Sequence, residues 1–118
     1  MKPFAYVDAR NEKEAVAALA GGRAMALGGG QDLLALLKDH ILEPEQLVNV
    51  KTLDRTIAAV PGGGYRIGSA VRLTDLAAHE GVKKAYPALA NAASEVGTPQ
   101  IRNVGTVGGN ICQRPRCW

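Results

Sequence analysis

The sequence predicts an α+β chain in two parts. A small β-α-β-α-β parallel subdomain occupies roughly residues 1–56, and the start of a second α+β subdomain occupies 57–118. Three observations carry this reading. Short apolar runs alternate with amphipathic stretches through the first half, as in a parallel sheet with helical crossovers. After Thr56 that alternation gives way to a hairpin pattern. Each half also contains one glycine-rich loop, Leu27-Gly28-Gly29-Gly30-Gln31-Asp32 in the first and Gly105-Thr106-Val107-Gly108-Gly109-Asn110 in the second.

Taken in order, Phe4-Ala5-Tyr6-Val7 reads as a short strand. Asn11 is a good N-cap for a helix from Glu12 to Leu19, with Glu14 completing a capping-box pattern and Gly21-Gly22 ending it. Ala24 to Leu27 is short and fully apolar, as a buried parallel strand is. Leu33, Leu34, Leu36, Leu37 and Ile41 form a helical core stripe that Pro44 stops, and Gln46 to Val50 is a third strand. Thr56–Val60 and Tyr65–Gly68 then flank Pro61-Gly62-Gly63-Gly64, a hairpin around a glycine turn. Thr74 is the expected cap of a short helix from Asp75 to His79. A longer helix follows Pro87, carrying Leu89, Ala92, Ala93 and Val96, until Gly97-Thr98-Pro99 breaks it. The chain stops at Trp118 in mid-pattern, which reads as a fragment.

Composition removes several function classes. At 118 residues the chain is one domain with a modest core. It is 47% hydrophobic and 21% charged, outside the disordered range. The net charge of +3 is mild and only 4% of residues are aromatic, so a nucleic-acid face is not expected. No apolar run reaches transmembrane length, and the N-terminus lacks a secretory core. A cytoplasmic location is expected, with periplasmic export on a partner's signal left open. Cys112 and Cys117 lie five apart, which fits neither a zinc knuckle nor a thioredoxin pair. Cys112 reads as a small buried residue beside Ile111, and Lys38 as a solvated one. His40 and His79 lack partners at metal spacing and read as surface or helix-end histidines. Arg102 and Arg114 are open between phosphate binding, a subunit contact and solvent. No catalytic side chain is assigned: neither a nucleophile with its base nor a carboxylate pair stands out.

The two loops carry the chemistry. Glycines at a strand-to-helix turn let the backbone approach a ligand closely and present bare N–H groups to an anion. One such loop is a weak signal, since plain tight turns use glycine too. Two in one small chain suggest a phosphate held from both sides, with Thr106 and Asn110 adding side-chain donors.

Leu27-Gly28-Gly29-Gly30-Gln31-Asp32-Leu33-Leu34 resembles the first flavin loop of the FAD-binding domain of molybdopterin dehydrogenases. The stretch from Gly97-Thr98-Pro99 through Ile101-Arg102-Asn103 to Gly108-Gly109-Asn110 is similar to that domain's second, more specific loop. The resemblance spans nearly the whole chain, as the N-terminal part of a medium, flavin-carrying subunit. It implies an FAD domain of the vanillyl-alcohol-oxidase/PCMH type, with FAD between two subdomains. It places Ala26, Leu27, Gly28, Gly29, Gly30, Gln31, Asp32 and Leu33 around the FAD pyrophosphate. Opposite them it places Thr106, Val107, Gly108, Gly109 and Asn110, with Val96 near the flavin. Gln31 departs from the family's threonine, which removes one hydroxyl contact. The implied partners are a large subunit holding the molybdenum cofactor and a small [2Fe–2S] subunit. The implied role is electron transfer from iron–sulfur clusters to FAD and on to an acceptor.

The tail Asn110 to Trp118 is similar to a subgroup whose flavin subunit also holds a [4Fe–4S] cluster, with Cys117 at the first ligand position. Two cysteines cannot supply four thiolates, so the cluster is expected in a full-length parent only. The chain alone is expected to bind FAD poorly and, with apolar surface left uncovered, to self-associate. Two other readings stay open: a stand-alone FAD-linked oxidase, and a non-enzymatic nucleotide- or anion-binding module.

Overall fold

The computed structural model describes residues 1–115. Its first half is a three-stranded parallel sheet in the order β1-β3-β2, formed by β1 (Ala5–Asp8), β2 (Ala24–Leu27) and β3 (Gln46–Asn49). Helices α1 (Glu12–Leu19) and α2 (Leu33–Lys38) make the crossovers. The most buried strand takes the centre: Val48 pairs with Val7 on one side and Ala26 on the other. The two-residue period of β3 splits the core between its faces. Val48 packs with Ala9 and Ala15 of the α1 side, while Leu47 packs with Leu27 and Leu37 of the α2 side. Asn49 is buried without penalty. Its amide donates to Asp8 Oδ1 at 2.6 Å and its carbonyl accepts from the Lys51 N–H at 3.1 Å.

The caps show how closely local chemistry sets the ends. Asn11 Oδ1 accepts from the Glu14 N–H at 2.9 Å, as its type predicts. The Glu14 carboxylate reaches the Arg10 N–H at 2.9 Å, one residue upstream of the expected capping box. Helix α2 ends earlier than its leucine stripe predicts. His40 takes a left-handed conformation (φ +56°), the His40 N–H donates to Leu37 O and the Ile41 N–H to Leu36 O. That pair of bonds is a Schellman closure, and it turns the chain before Ile41. Leu36 and Leu37 are buried, whereas Leu34 and Ile41 are exposed, so only part of the stripe is core.

The second half opens with a hairpin, β4 (Ile57–Ala59) antiparallel to β5 (Tyr65–Ile67). Its turn uses positive φ at Gly62, Gly63 and Gly64. Five short helices follow: α3 (Leu73–Ala78), α4 (Glu80–Ala85), α5 (Pro87–Ser94), α6 (Pro99–Arg102) and α7 (Val107–Ile111). Val71, Leu76, Val82, Ala90 and Ala93 form their core, with Ile57, Tyr65 and Ile67 of the hairpin against it.

Three expectations need correction here. Helix α3 begins at Leu73, with Arg72 and not Thr74 in the capping position. The Leu73 N–H is already satisfied by Gly105 O at 3.0 Å, and the Thr74 hydroxyl donates to Asn103 Oδ1 at 2.8 Å. Helix α5 buries Ala90 and Ala93 while Leu89 and Ala92 face outward, and Val96 lies beyond its end. Helices α4, α6 and α7 have too few residues for a readable period and were not anticipated. Each is started by a side-chain cap: His79 Nδ1 accepts from Val82 N–H, Thr98 Oγ1 from Ile101 N–H, and Thr106 Oγ1 from Gly109 N–H. His79→Ala removes the first of these, and also the edge-on contact with Tyr65 (ring centroids 5.4 Å apart). Thermal unfolding is expected to register a loss of about 1–2 kcal/mol.

Asp54 lies where the chain passes from sheet to hairpin. Its backbone oxygen accepts from the Ala70 N–H at 3.0 Å. Its carboxylate accepts from the Thr56 hydroxyl at 2.7 Å and the Thr56 N–H at 2.8 Å, with Arg66 at 3.4 Å. The Thr56 hydroxyl first, then the Thr56 N–H and the Arg66 charge hold this carboxyl below the usual aspartate range. A depressed carboxyl contributes stability that is present above its unfolded value, about pH 4, and lost as pH falls through the folded value. Unfolding midpoints are therefore expected to drop below about pH 4, and Asp54→Asn to flatten that part of the profile.

Candidate functional site

The first glycine loop leaves the sheet at the end of β2. Leu27 is anchored in the core beside Leu37 and Leu47, and the chain then turns through Gly28, Gly29 and Gly30, the last at φ +77°. The second loop is held by residues 69–73. Gly108 N–H donates to Ser69 O at 2.9 Å, Val107 N–H to Val71 O at 2.8 Å, and Leu73 N–H to Gly105 O at 3.0 Å.

The loops touch. A Cβ on Gly28 would sit 2.8 Å from Thr106 Oγ1. A Cβ on Gly29 would overlap the Val104 carbonyl oxygen and lie 2.8 Å from Gly105 Cα. Real Cβ atoms do not approach backbone this closely, so Gly29 is required by contact between the loops before any ligand is considered.

Beside this contact lies a cavity of about 580 Å³. Of the residues expected at the site, it brings together Ala26, Gly28, Gly29, Gly30, Gln31, Asp32, Leu33, Val96, Thr106, Gly109 and Asn110. Leu27, Val107 and Gly108 stand behind its lining. Leu27 and Val107 pack into the cores of the two halves, and Gly108 packs against Ser69. Cys117 lies outside the described residues. The lining also takes in Gly97, Ile101 and Gly105 of the second-loop stretch and Arg114, which the sequence left open between phosphate binding, a subunit contact and solvent. Leu73, Cys112 and Gln113 complete it, and these sequence reasoning missed. Cys112 is exposed, contrary to expectation, and Ile111 is 76% exposed, because α7 packs through Val107 and turns its last residues outward. A second, shallower depression at the start of α1 shares no residue with either loop.

The polar atoms suit an anion on the first-loop side. The N–H groups of Gly29, Gly30 and Gln31 have no acceptor among the described residues. Thr106 is 5% exposed; its hydroxyl oxygen accepts from Gly109 N–H at 3.2 Å and its carbonyl from Asn110 N–H at 2.8 Å. Asp32 Oδ2 accepts from the Arg114 N–H at 3.4 Å, tying the residues after α7 to the first loop.

A cavity walled by two abutting glycine loops, one from each half, defines a class of nucleotide-cofactor domain. Residues 2–116 match the family described as "FAD binding domain in molybdopterin dehydrogenase", and the chain belongs to that family. Among its relatives, the aldehyde oxidoreductase FAD-binding subunit PaoB of Escherichia coli K12 is 42% identical over 99% of this chain and 37% of its own length. The glyceraldehyde dehydrogenase medium chain of Sulfolobus acidocaldarius is 33% identical over 92% of this chain and 39% of its own. The carbon monoxide dehydrogenase structure from Hydrogenophaga pseudoflava superposes with a TM-score of 0.87 at 36% identity, covering 94% of this chain and 40% of that one. The chain thus spans about two fifths of the length of these relatives. The mixed α/β fold with its small parallel sheet is that of this FAD-domain class.

The residues present fit such a cofactor. The amides of Gly29, Gly30 and Gln31, without an acceptor among the described residues, line the cavity and offer donors for a pyrophosphate. Among the described residues, no helix is long and apolar enough to cross a membrane.

Proposed function

We propose that this chain forms the pyrophosphate-holding part of an FAD site in the flavin subunit of a molybdenum-dependent dehydrogenase of the aldehyde or xanthine type. The observation that carries the reading is the meeting of the two glycine loops at one cavity. The Gly29, Gly30 and Gln31 amides bind one side of the pyrophosphate; the Asn110 side chain binds the other beside the bare backbone of Gly109, and Val96 faces the flavin. The two halves, 1–56 and 57–118, act as the two subdomains that hold the cofactor between them. Bound FAD supplies the redox chemistry, receiving electrons from iron–sulfur centres and passing them to an acceptor. The protein binds, orients and shields it. The partners in this reading are a molybdenum-cofactor large subunit and a [2Fe–2S] small subunit, in the cytoplasm. A [4Fe–4S] cluster with Cys117 as one ligand belongs to the same reading. The names of the relatives support it: one is the FAD-binding subunit of an aldehyde oxidoreductase, and others are medium chains of dehydrogenases.

The test is to isolate the protein from its host together with its bound partners. Its absorbance is then recorded and its molybdenum and iron are measured. Flavin bands accompanied by molybdenum and iron are the expected result. A colourless, folded protein that takes up no FAD would contradict the proposal and favour the anion-binding module.

A further inference from the structure

Part of the cavity wall is formed by Val96 and Gly97, in the short connection between α5 and α6, and by Ile101 of α6. Val96 and Gly97 belong to no helix or strand. Helix α5 has ended at Ser94, and Gly97 sits at φ +52° with Ile101 folded under it. Two successive carbonyls past a helix end need donors, and here one side chain provides both. Arg102 Nη1 donates to Val96 O and to Gly97 O, each at 3.1 Å. The Arg102 N–H closes the same loop on Thr98 O at 3.0 Å. The side chain is half-buried and makes no ion pair among the described residues. Its charge is spent on carbonyl oxygens behind the wall, and it does not itself line the cavity.

We propose that Arg102 is a positioning residue for the flavin-facing wall: its guanidinium clamps the Val96 and Gly97 carbonyls and so fixes where the wall stands against the cofactor. The assignment rests on the flavin reading above. It also separates Arg102 from a direct phosphate anchor, which would point into the cavity. Charge-assisted bonds of this kind are stronger than neutral ones, and losing the donor leaves two carbonyls unsatisfied. One nitrogen makes both bonds, so a lysine ammonium can replace it in kind, though with a shorter reach.

The experiment compares the 118-residue chain with Arg102→Gln and Arg102→Lys, using amide NMR spectra and FAD titrations carried into the millimolar range. Arg102→Gln is expected to shift the Val96, Gly97 and Ile101 amides, leave the Gly28–Gly30 amides in place and weaken FAD about tenfold. Arg102→Lys is expected to recover most of that affinity. Unchanged FAD affinity in Arg102→Gln overturns the proposal. So does an affinity loss in Arg102→Lys as large as in Arg102→Gln, which would mean the fork geometry touches the ligand directly. If Arg102→Gln disturbs the whole spectrum, a wild-type-like Arg102→Lys spectrum with full affinity still upholds the clamp, and a weakened affinity there overturns it. The flavin reading itself is tested separately, on the protein isolated with its partners: a folded protein there that takes up no FAD overturns that reading and removes this role with it.

Discussion

Gly29→Ala is expected to lower the stability of the chain by about 2–3 kcal/mol and its melting temperature by about 10 °C. The added methyl meets the Val104 carbonyl and Gly105 Cα, which are backbone and cannot swing aside as a flexible side chain would. Relief requires the two loops to part, and parting them opens the contact between the sheet half and the helical half. FAD binding should fall with it, because both sides of the cradle move. Gly21→Ala is the control. Nothing lies within 4 Å of a Cβ there and the backbone is not left-handed, so that change should be neutral or stabilising by less than about 1 kcal/mol. Thermal melts of the two variants decide the matter. Gly29→Ala melting like the wild type would mean that the loops do not abut.

Leu47→Ala is expected to cost about 3 kcal/mol, read by urea unfolding. Leu47 is 1% exposed in the central strand and packs with Leu27, Leu37, Phe4 and Met25. Truncation leaves a cavity under the strand that launches the first glycine loop. For a chain of this size that is a large share of total stability, of the order of 5–15 kcal/mol. Leu47→Met keeps the volume and should cost less than about 1.5 kcal/mol. A loss of similar size in both variants would point to strain in place of a cavity.

Most of the sheet half was legible because its signals are local and strong. The strand Ala24–Leu27 and the Asn11 cap there, and the hairpin turn at Gly62–Gly64 in the second half, each follow from one residue type doing one thing, although Ala24–Leu27 is an edge strand in which only Leu27 is buried. The leucine stripe misled past Lys38 because a left-handed histidine carries no sequence mark comparable to glycine. Thr74 looks like a cap, but the helix starts one residue earlier, and the Leu76 N–H that a Thr74 cap would serve bonds Arg72 O instead. The three short helices are set by single side-chain caps and by tertiary contacts, which hydrophobic periodicity cannot register. At the site, the glycine loops announced themselves, yet their mutual contact did not. That Gly29 faces Val104, that Arg102 braces Val96 and that the 112–114 segment joins the cavity are all facts of long-range packing.

If both glycine loops hold one FAD pyrophosphate, titrating the isotope-labelled chain with FAD and following every backbone amide will show it. Gly29, Gly30 and Gln31 are expected to shift together with Gly109 and Asn110, along a single saturable curve. Shifts confined to one loop, or scattered over the surface with none at the Gly28–Gly30 turn, would contradict it.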